Sequence, residues 1–177
     1  MFKDFKPVLL ILGRFLAIYL IPVLLYQFYL NQYSGQGLDP ISTWVAKQSG
    51  AVQTFLGYAT QVIPGKPEHE TAWFFIEGKW PTRMVEGCNA ISIMILFAAF
   101  IFAFYKGTKT FVFAAVGLVL LHIMNVLRIA GLNILIFEKP EYGKIGHDYF
   151  FPAIIYGTVV VLWIVWIKFF ALKDENS

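Results

Sequence analysis

The chain has 177 residues, of which 58% are hydrophobic, 18% aromatic and only 14% charged, with a formal net charge of +3. A soluble domain of this length needs more polar surface, so the composition excludes an ordinary soluble globular protein and indicates an integral membrane protein. The weak, scattered positive charge, without a dense basic run, excludes a nucleic-acid partner and leaves membrane lipid as the expected surroundings.

Four apolar stretches are long enough to cross a bilayer, whose hydrocarbon core of about 30 Å takes roughly 20 residues of helix. Helices are expected because a backbone in lipid must satisfy its own hydrogen bonds. The sequence therefore predicts an all-α membrane protein of about four transmembrane helices, forming a single integral domain over residues 1–177. The spans are expected at about 7–30, 89–105, 111–137 and 150–170.

Two polar segments interrupt the spans, a long one over residues 31–87 and a short one over residues 138–149. The first part of the long segment, from Asp39 to Val62, has mixed polarity and predicts one or two amphipathic helices near the membrane. The pair Asp39-Pro40 fits an N-cap followed by an N1 proline, so we expect a helix to begin there.

A short β-hairpin is predicted in the second half of the long segment. The runs Thr71 to Ile76 and Trp80 to Glu86 lie on either side of Glu77-Gly-Lys79. Two short strand-like runs separated by a glycine-containing turn are typical of a hairpin, and Gly78 is expected at the turn.

Basic residues near the ends of the spans set the expected orientation. One side carries a dense set in short segments, while the other spreads a similar number over longer segments that hold most of the acidic residues. Both termini are therefore expected in the cytoplasm, in a multi-pass protein of the plasma (inner) membrane, and both polar segments are expected to be extracytoplasmic. The dense set comprises Lys3, Lys6, Lys106, Lys109, Lys168 and Lys173.

Three side chains that could take part in catalysis lie at the extracytoplasmic boundary of the predicted spans. The single cysteine, Cys88, lies where the long segment meets span two, Arg128 lies near the outer end of span three, and His147 lies just before span four. A thiol, a guanidinium and an imidazole at one boundary are the parts of a cysteine-based acyl-transfer site. A neighbouring cation would stabilise the thiolate, the imidazole would move protons, and the arginine would hold an oxyanion.

Each of these residues also has an ordinary structural interpretation, and both interpretations stay open at this point. A cysteine at a helix start often packs as a small apolar residue, an arginine at a span end often anchors to the interface, and a histidine beside Asp148 is often simply solvated. On that view the chain is a non-enzymatic membrane scaffold or assembly subunit of an envelope or secretion complex. A small channel with Arg128 along an anion path is a third interpretation, but the paired broken helices expected of transporters are missing.

The sequence predicts neither a cofactor nor a metal. His69 lies between Glu68 and Glu70, but no second ligand pair accompanies them, and there is no glycine-rich phosphate loop or dinucleotide motif. His122, in the middle of span three, is about 120° around the helix from Arg128 and is expected to bond to a neighbouring helix.

The chain resembles the exosortase/archaeosortase family of membrane-embedded cysteine transpeptidases in three places. These are Glu86-Gly-Cys88-Asn-Ala, Asn125-Val-Leu-Arg128-Ile129, and His147 at the entry to the last span, in the family's order of Cys, Arg and His. The similarity covers roughly residues 84–160, and the short four-span form looks like the compact exosortase F subgroup of Bacteroidetes-type bacteria. Many members have a small residue and then glycine after the cysteine, where this chain has Asn89 and Ala90.

The resemblance implies a sorting enzyme in which Cys88, Arg128 and His147 are catalytic and Asn89 and Asn125 support them. Its substrates would be exported proteins that end in a short motif, a transmembrane helix and a basic end. Cys88 would cleave at the motif, and a surface acceptor or water would resolve the acyl-enzyme. The substrate's helix would pack beside spans two to four, where small residues allow close approach: Ala98, Ala99, Ala114, Ala115, Gly117 and Gly131.

Overall fold

The computed structural model of the chain describes residues 6–171, with side chains from Val8 onward. These residues are mostly helical and include a small three-stranded sheet. Two of the basic residues used above for orientation, Lys3 and Lys173, lie outside the described residues, as do the two ends of the predicted domain.

The described chain divides into two compact units. We call residues 6–28, 91–121 and 157–171 the helical unit, and residues 29–90 and 122–156 the mixed unit. Three long helices contribute residues to both units, so the division does not follow the order of the chain.

Among the described residues, three helices are long and apolar enough to cross a membrane, in agreement with the predicted membrane class. They are α1, α4 and a C-terminal helix, and the two other helices of more than one turn are α2 and α3. The bounds are α1 Lys6–Asn31, α2 Pro40–Phe55, α3 Ile91–Ala103, α4 Thr108–Glu138 and the C-terminal helix Pro140–Ala171.

The helix at predicted span two is shorter than expected. Helix α3 has 13 residues, which correspond to about 20 Å, while the hydrocarbon core of a bilayer is about 30 Å thick. Both ends of the predicted 89–105 span lie outside this helix: Ala90 has a φ of 63° just before α3, and the chain turns at Phe104 directly after it. The apolar run therefore contains one short helix and two turns.

Helix α2 begins as predicted. Asp39 is its N-cap, with Oδ1 accepting the backbone N–H of Ser42 at 3.0 Å, and Pro40 occupies the first helical position. The helix ends at Phe55, so the prediction that helices continue to Val62 is wrong. Residues Thr60–Pro64 form a strand instead, because their backbone pairs with a strand that follows later in the chain.

The sheet has the order β1-β2-β3, with both pairs of strands antiparallel. Strands β2 (Thr71–Ile76) and β3 (Lys79–Val85) form the predicted hairpin, and Glu77 and Gly78 turn the chain with φ values of 47° and 86°. Positive φ at both central residues is what a tight hairpin turn needs, and glycine adopts it at little cost. The sheet is one strand larger than predicted because β1 (Thr60–Pro64) pairs with β2.

The last long helix begins at Pro140, ten residues earlier than the predicted start of span four. The predicted polar segment 138–149 is therefore helical for most of its length, in short 3-10, α and π turns that lead into the regular helix Phe151–Trp166. Two glycines let this start approach α4: a Cβ at Gly143 would lie 3.0 Å from Ile136, and one at Gly146 would lie 2.7 Å from Leu135.

The helical unit is held by aromatic and small residues. Phe97 is fully buried, and its ring fills the space where a side chain at Gly117 would lie. Trp166 is also fully buried and packs against Phe113, with the ring centroids 5.1 Å apart. Gly117 was predicted to lie against a substrate's helix, but the space beside it is filled by the ring of Phe97.

The mixed unit has its own core, in which α2 and α4 pack against the inner face of the sheet. The core residues are Val45, Ala46, Ala72, Phe74, Met84, Val126 and Ile129. A second contact between the same helices involves His122, whose Nε2 lies 2.6 Å from Oε1 of Gln48 and whose ring stacks on Trp44. The prediction that His122 bonds to a neighbouring helix is confirmed.

Gly131 was also predicted to lie against a substrate's helix, but it faces the ring of Phe151 instead.

Candidate functional site around Cys88

Cys88 lies in the turn between β3 and α3. Its backbone N–H donates to the carbonyl of Val85 at 3.2 Å, which closes the turn directly after the strand. Gly87 before it and Ala90 after it both have positive φ, so the backbone is sharply bent on either side of the cysteine. The side chain is half-buried and packs against the core of the mixed unit.

Asn125 ties Cys88 to Arg128. Its Nδ2 donates to the backbone carbonyl of Cys88 at 3.0 Å, and its Oδ1 accepts from Nε of Arg128 at 3.2 Å. The amide is fully buried, so both bonds form away from water, where an unmade bond is costly. Asn125 therefore fixes the guanidinium of Arg128 relative to the backbone of Cys88. The supporting role predicted for Asn125 would consist of this positioning.

Asn89 acts on the other side of the turn. Its Nδ2 donates to Oγ of Ser42 at 2.8 Å, and the residue is 1% exposed. This bond links the turn that carries Cys88 to the first turn of α2. Asn89 supports the turn, but it is not one of the residues that line the cavity described below.

His147 lies within a π-helical turn, Gly146–Phe150, and not in the loop expected from the sequence. Its side chain is 70% exposed, and its Nδ1 lies 2.9 Å from Oδ1 of Asp148. A carboxylate that accepts from Nδ1–H selects the tautomer of a neutral imidazole in which Nε2 is free to accept a proton. The buried Gly146 brings this turn close to α4, because any larger residue there would meet Leu135.

One cavity of about 400 Å³ is lined by all three of the predicted catalytic side chains. The structure thus brings together residues that are 40 and 19 positions apart in the sequence, Cys88 with Arg128 and Arg128 with His147. Its polar lining comprises Thr82, Arg83, Cys88, Arg128, Asn133 and His147, and its other lining residues are apolar and come from β2, β3 and α4.

Three of these polar residues were not predicted: Thr82, Arg83 and Asn133. Asn133 follows Asn125 by eight residues, with Ile129 midway, so the three lie along one face of α4. An asparagine within an apolar run, at this spacing from another, was the signal available in the sequence. For Thr82 and Arg83 there was none, because their place in the cavity depends on how the sheet packs on α4.

The cavity has basic residues in its lining. These are Arg83, Arg128 and His147, and among the described residues no acidic residue lines it, although Oδ1 of Asp148 lies 2.9 Å from Nδ1 of His147. The guanidinium carbon of Arg83 lies 5.8 Å from the ring centroid of Trp73, which does not line the cavity, so the expected effect of the cavity on an anion rests on Arg128. Such a lining favours anions, including a thiolate and the oxyanion of a tetrahedral intermediate.

The nearest acidic residue in the sequence, Glu86, is not in the lining. Burial raises the pKa of its carboxyl, and the nearby carboxylates of Glu70 and Asp39 raise it further. Within residues 6–171 there is no cluster of three His, Cys, Asp or Glu side chains that would hold a metal ion.

Comparisons with protein-family models, with curated proteins and with solved structures found no match for this chain. Membership of the exosortase/archaeosortase family therefore remains a prediction from the three short motifs.

Proposed function

We propose that this chain is a membrane-embedded cysteine peptidase or transpeptidase that cleaves the C-terminal sorting tails of exported proteins. The observation that carries the proposal is the single cavity shared by Cys88, Arg128 and His147. A nucleophile, a permanent cation and a proton carrier within one cavity are the groups that acyl transfer requires.

The reaction starts with attack of the Cys88 thiolate on a peptide carbonyl, which forms a carbon–sulfur bond and places negative charge on the carbonyl oxygen. Arg128 stabilises that oxyanion with its guanidinium. His147 then gives a proton to the departing amine as the carbon–nitrogen bond breaks. The products are a thioester on Cys88 and a released tail with a free amine.

The thioester is resolved by an amine, a hydroxyl or water. The incoming group forms a bond to the thioester carbon and loses its proton to His147, and the thiolate of Cys88 leaves. Transfer to a surface acceptor and simple hydrolysis differ only in this second step, and no further catalytic group is needed for either.

In the bilayer, we propose that α1, α4 and the C-terminal helix span the plasma (inner) membrane, with both termini in the cytoplasm. The short helix α3 forms the fourth passage of the predicted layout, and the segments 31–87 and 138–149 are extracytoplasmic. The substrate's own transmembrane helix would then hold the scissile bond near the cavity. Basic residues at the predicted cytoplasmic ends, such as Lys106 and Lys109, support this orientation.

The test is a complementation assay in cells that lack this chain. Exported proteins whose sequences end in a motif, a transmembrane helix and a basic end are followed by mass spectrometry, and loss of the tail is scored. Cys88→Ala is expected to abolish tail removal, and His147→Ala to reduce it at least a hundredfold. The matched control is His69→Ala, because His69 is exposed and lies outside the cavity.

Normal tail removal by the Cys88→Ala protein, at wild-type abundance in the membrane, would contradict the proposal. It would favour the non-enzymatic alternative, a scaffold or assembly subunit. The scaffold alternative is supported by α1, because this chain leaves most of the helix's apolar side chains uncovered, including Leu24, Leu25 and Phe28. Lipid or a partner's helix would cover them equally well.

A further inference from the structure

Asn133 has a polar atom that no group of the described residues 6–171 satisfies. The residue is 2% exposed, and its Oδ1 accepts from the hydroxyl of Thr82 at 2.6 Å, while its Nδ2 has no hydrogen-bond partner among these residues. Turning the carboxamide over would only exchange the two atoms, because Thr82 contacts one end. A buried donor or acceptor without a partner costs about 1–3 kcal/mol, so this arrangement does not serve stability.

Asn133 lies close to the residues proposed to be catalytic. It lines the same cavity as Cys88, and it lies five residues beyond Arg128 on α4. Five residues of helix correspond to about 7.5 Å along the axis, and an extended peptide covers about 3.3 Å per residue. Asn133 is thus placed to reach the main chain about two residues away from a bond held beside Arg128.

The strand next to the cavity has a free side. In the described part of the chain β3 is an edge strand, with β2 on one side and no strand on the other. Four of its residues, Thr82, Arg83, Met84 and Val85, line the cavity, and the chain then turns directly to Cys88. An unpaired strand edge offers N–H and C=O groups to an added extended segment.

We propose that the cavity binds its substrate as an extended peptide alongside β3, and that the Asn133 amide, held by Thr82, bonds to that peptide's main chain. The proposal rests on the proposed function for the identity of the substrate. The peptide's carbonyl accepts from Nδ2 of Asn133, and its own N–H groups pair with the edge of β3. Asn133 is a binding residue in this account and takes no part in bond breaking.

The test uses two alkylating reagents with the same reactive group. One is the peptide reagent acetyl-Ala-Ala-Ala chloromethyl ketone, and the other is chloroacetone, which has no peptide. In both cases the thiolate of Cys88 displaces chloride. The purified full chain in detergent micelles is expected to react at least tenfold faster with the peptide reagent, since binding precedes alkylation. An analogue of the peptide reagent with N-methylated amides is expected to lose that advantage.

The informative variant is Asn133→Leu, which removes both polar atoms at similar volume. It is expected to slow the peptide reagent about tenfold, to leave chloroacetone unchanged, and to keep or raise the thermal midpoint. The matched control is Gln53→Leu, because Gln53 is also fully buried without side-chain partners but lies in α2, outside the cavity. It is expected to leave the rates of both reagents unchanged.

Equal slowing of both reagents by Asn133→Leu, or no slowing of either, would overturn the proposal. A peptide reagent with no advantage over its N-methylated analogue would overturn the edge pairing. The proposed function fails separately, through normal tail removal by Cys88→Ala. A peptide preference that depends on Asn133, found together with that result, would leave a peptide-binding site in a protein that is not the sorting enzyme.

Discussion

The helical unit and the mixed unit differ in what their cores contain. In the helical unit the buried side chains are apolar, and Thr110 is the single polar exception among the described residues. The mixed unit also has a buried apolar core, but it is rich in buried polar side chains as well. These are Asp39, Ser42, Ser49, Gln53, Thr71, Asn89, Asn125 and Asn133.

The two kinds of core constrain the positions of atoms differently. Apolar packing tolerates neighbours of similar size and fixes positions loosely, while buried hydrogen bonds fix atoms in direction and distance. Two of the buried amides hold the turn around Cys88: Asn125 donates to the carbonyl of Cys88, and Asn89, which follows Cys88 in the turn, donates to Ser42 of α2. Substitutions in the helical unit should therefore change stability alone, and those that shift the turn around Cys88 or the turn of His147 should also change the reactivity of Cys88.

The largest effect is expected from Gly117→Val in the helical unit. The added side chain would meet the ring of Phe97, which is fully buried, and we expect a loss of about 3 kcal/mol in the free energy of unfolding. Gly146→Val in the mixed unit meets the end of Leu135, which is flexible, and should cost about 1–2 kcal/mol.

Thermal unfolding in detergent checks the order of these two losses, and chloroacetone alkylation separates their consequences. Well below both midpoints, Gly117→Val should react at the wild-type rate, while Gly146→Val, which shifts the turn of His147, should not. A change of Cys88 reactivity in Gly117→Val alone would contradict the separation of the two units.

The next effect concerns Asn125. Asn125→Leu leaves the Cys88 carbonyl and the Arg128 Nε without their partner, and we expect a loss of about 2–3 kcal/mol with a large fall in tail removal. Asn125→Asp keeps an acceptor for Arg128 but loses the donor to Cys88, so its loss should be intermediate. The order wild type, Asp, Leu in thermal midpoint is the prediction, and equal midpoints for the two variants would contradict it.

A smaller effect is expected at Ala90, whose φ of 63° is costly for any residue except glycine. Ala90→Gly should change the free energy of unfolding by less than about 1 kcal/mol, because relief of strain offsets the greater freedom of glycine in the unfolded chain. Ala90→Val should cost about 2 kcal/mol or more, since a β-branched residue is excluded from this region. Similar midpoints for the two variants would show that the turn after Cys88 relaxes.

The smallest effect is a pH dependence at Glu86. Because burial and the carboxylates of Glu70 and Asp39 raise its pKa in the folded state, the folded protein binds this proton more tightly than the unfolded chain does. Its contribution to stability therefore falls as the pH rises from the ordinary pKa of a glutamate to the raised value, and is constant above it. Glu86→Gln should remove this part of the decline in the thermal midpoint. The exposed Glu68→Gln is the control, and identical pH profiles for wild type and Glu86→Gln would contradict the prediction.

The sequence predicted those parts of the fold that depend on local signals. Helices of spanning length follow from uninterrupted apolar runs, the start of α2 follows from Asp39-Pro40, and the hairpin follows from Gly78 between two strand-like runs. Strand β1 was missed because its pairing with β2 is not local. The shortness of α3 was missed because apolar residues such as Ala90 and Phe104 give no sign that the backbone turns.

The candidate site also contains residues that the sequence predicted and residues that it did not. Cys88, Arg128 and His147 were predicted together because the predicted spans put them at one boundary, and in the structure the three residues line one cavity. Asn133 was missed because its partner, Thr82, is 51 residues away in the sequence and becomes its neighbour only when the sheet packs on α4. A polar residue within an apolar run shows that a partner is needed, but not which one.

The central claim is that Cys88 forms an acyl bond to its substrate. The most direct measurement is intact-mass spectrometry of the chain purified from the cells that produce it, before and after treatment with hydroxylamine, which cleaves thioesters. The account predicts an acyl adduct on Cys88 that hydroxylamine removes and that Cys88→Ala lacks. A Cys88 that stays a free thiol while tail-bearing proteins are being shortened would contradict it.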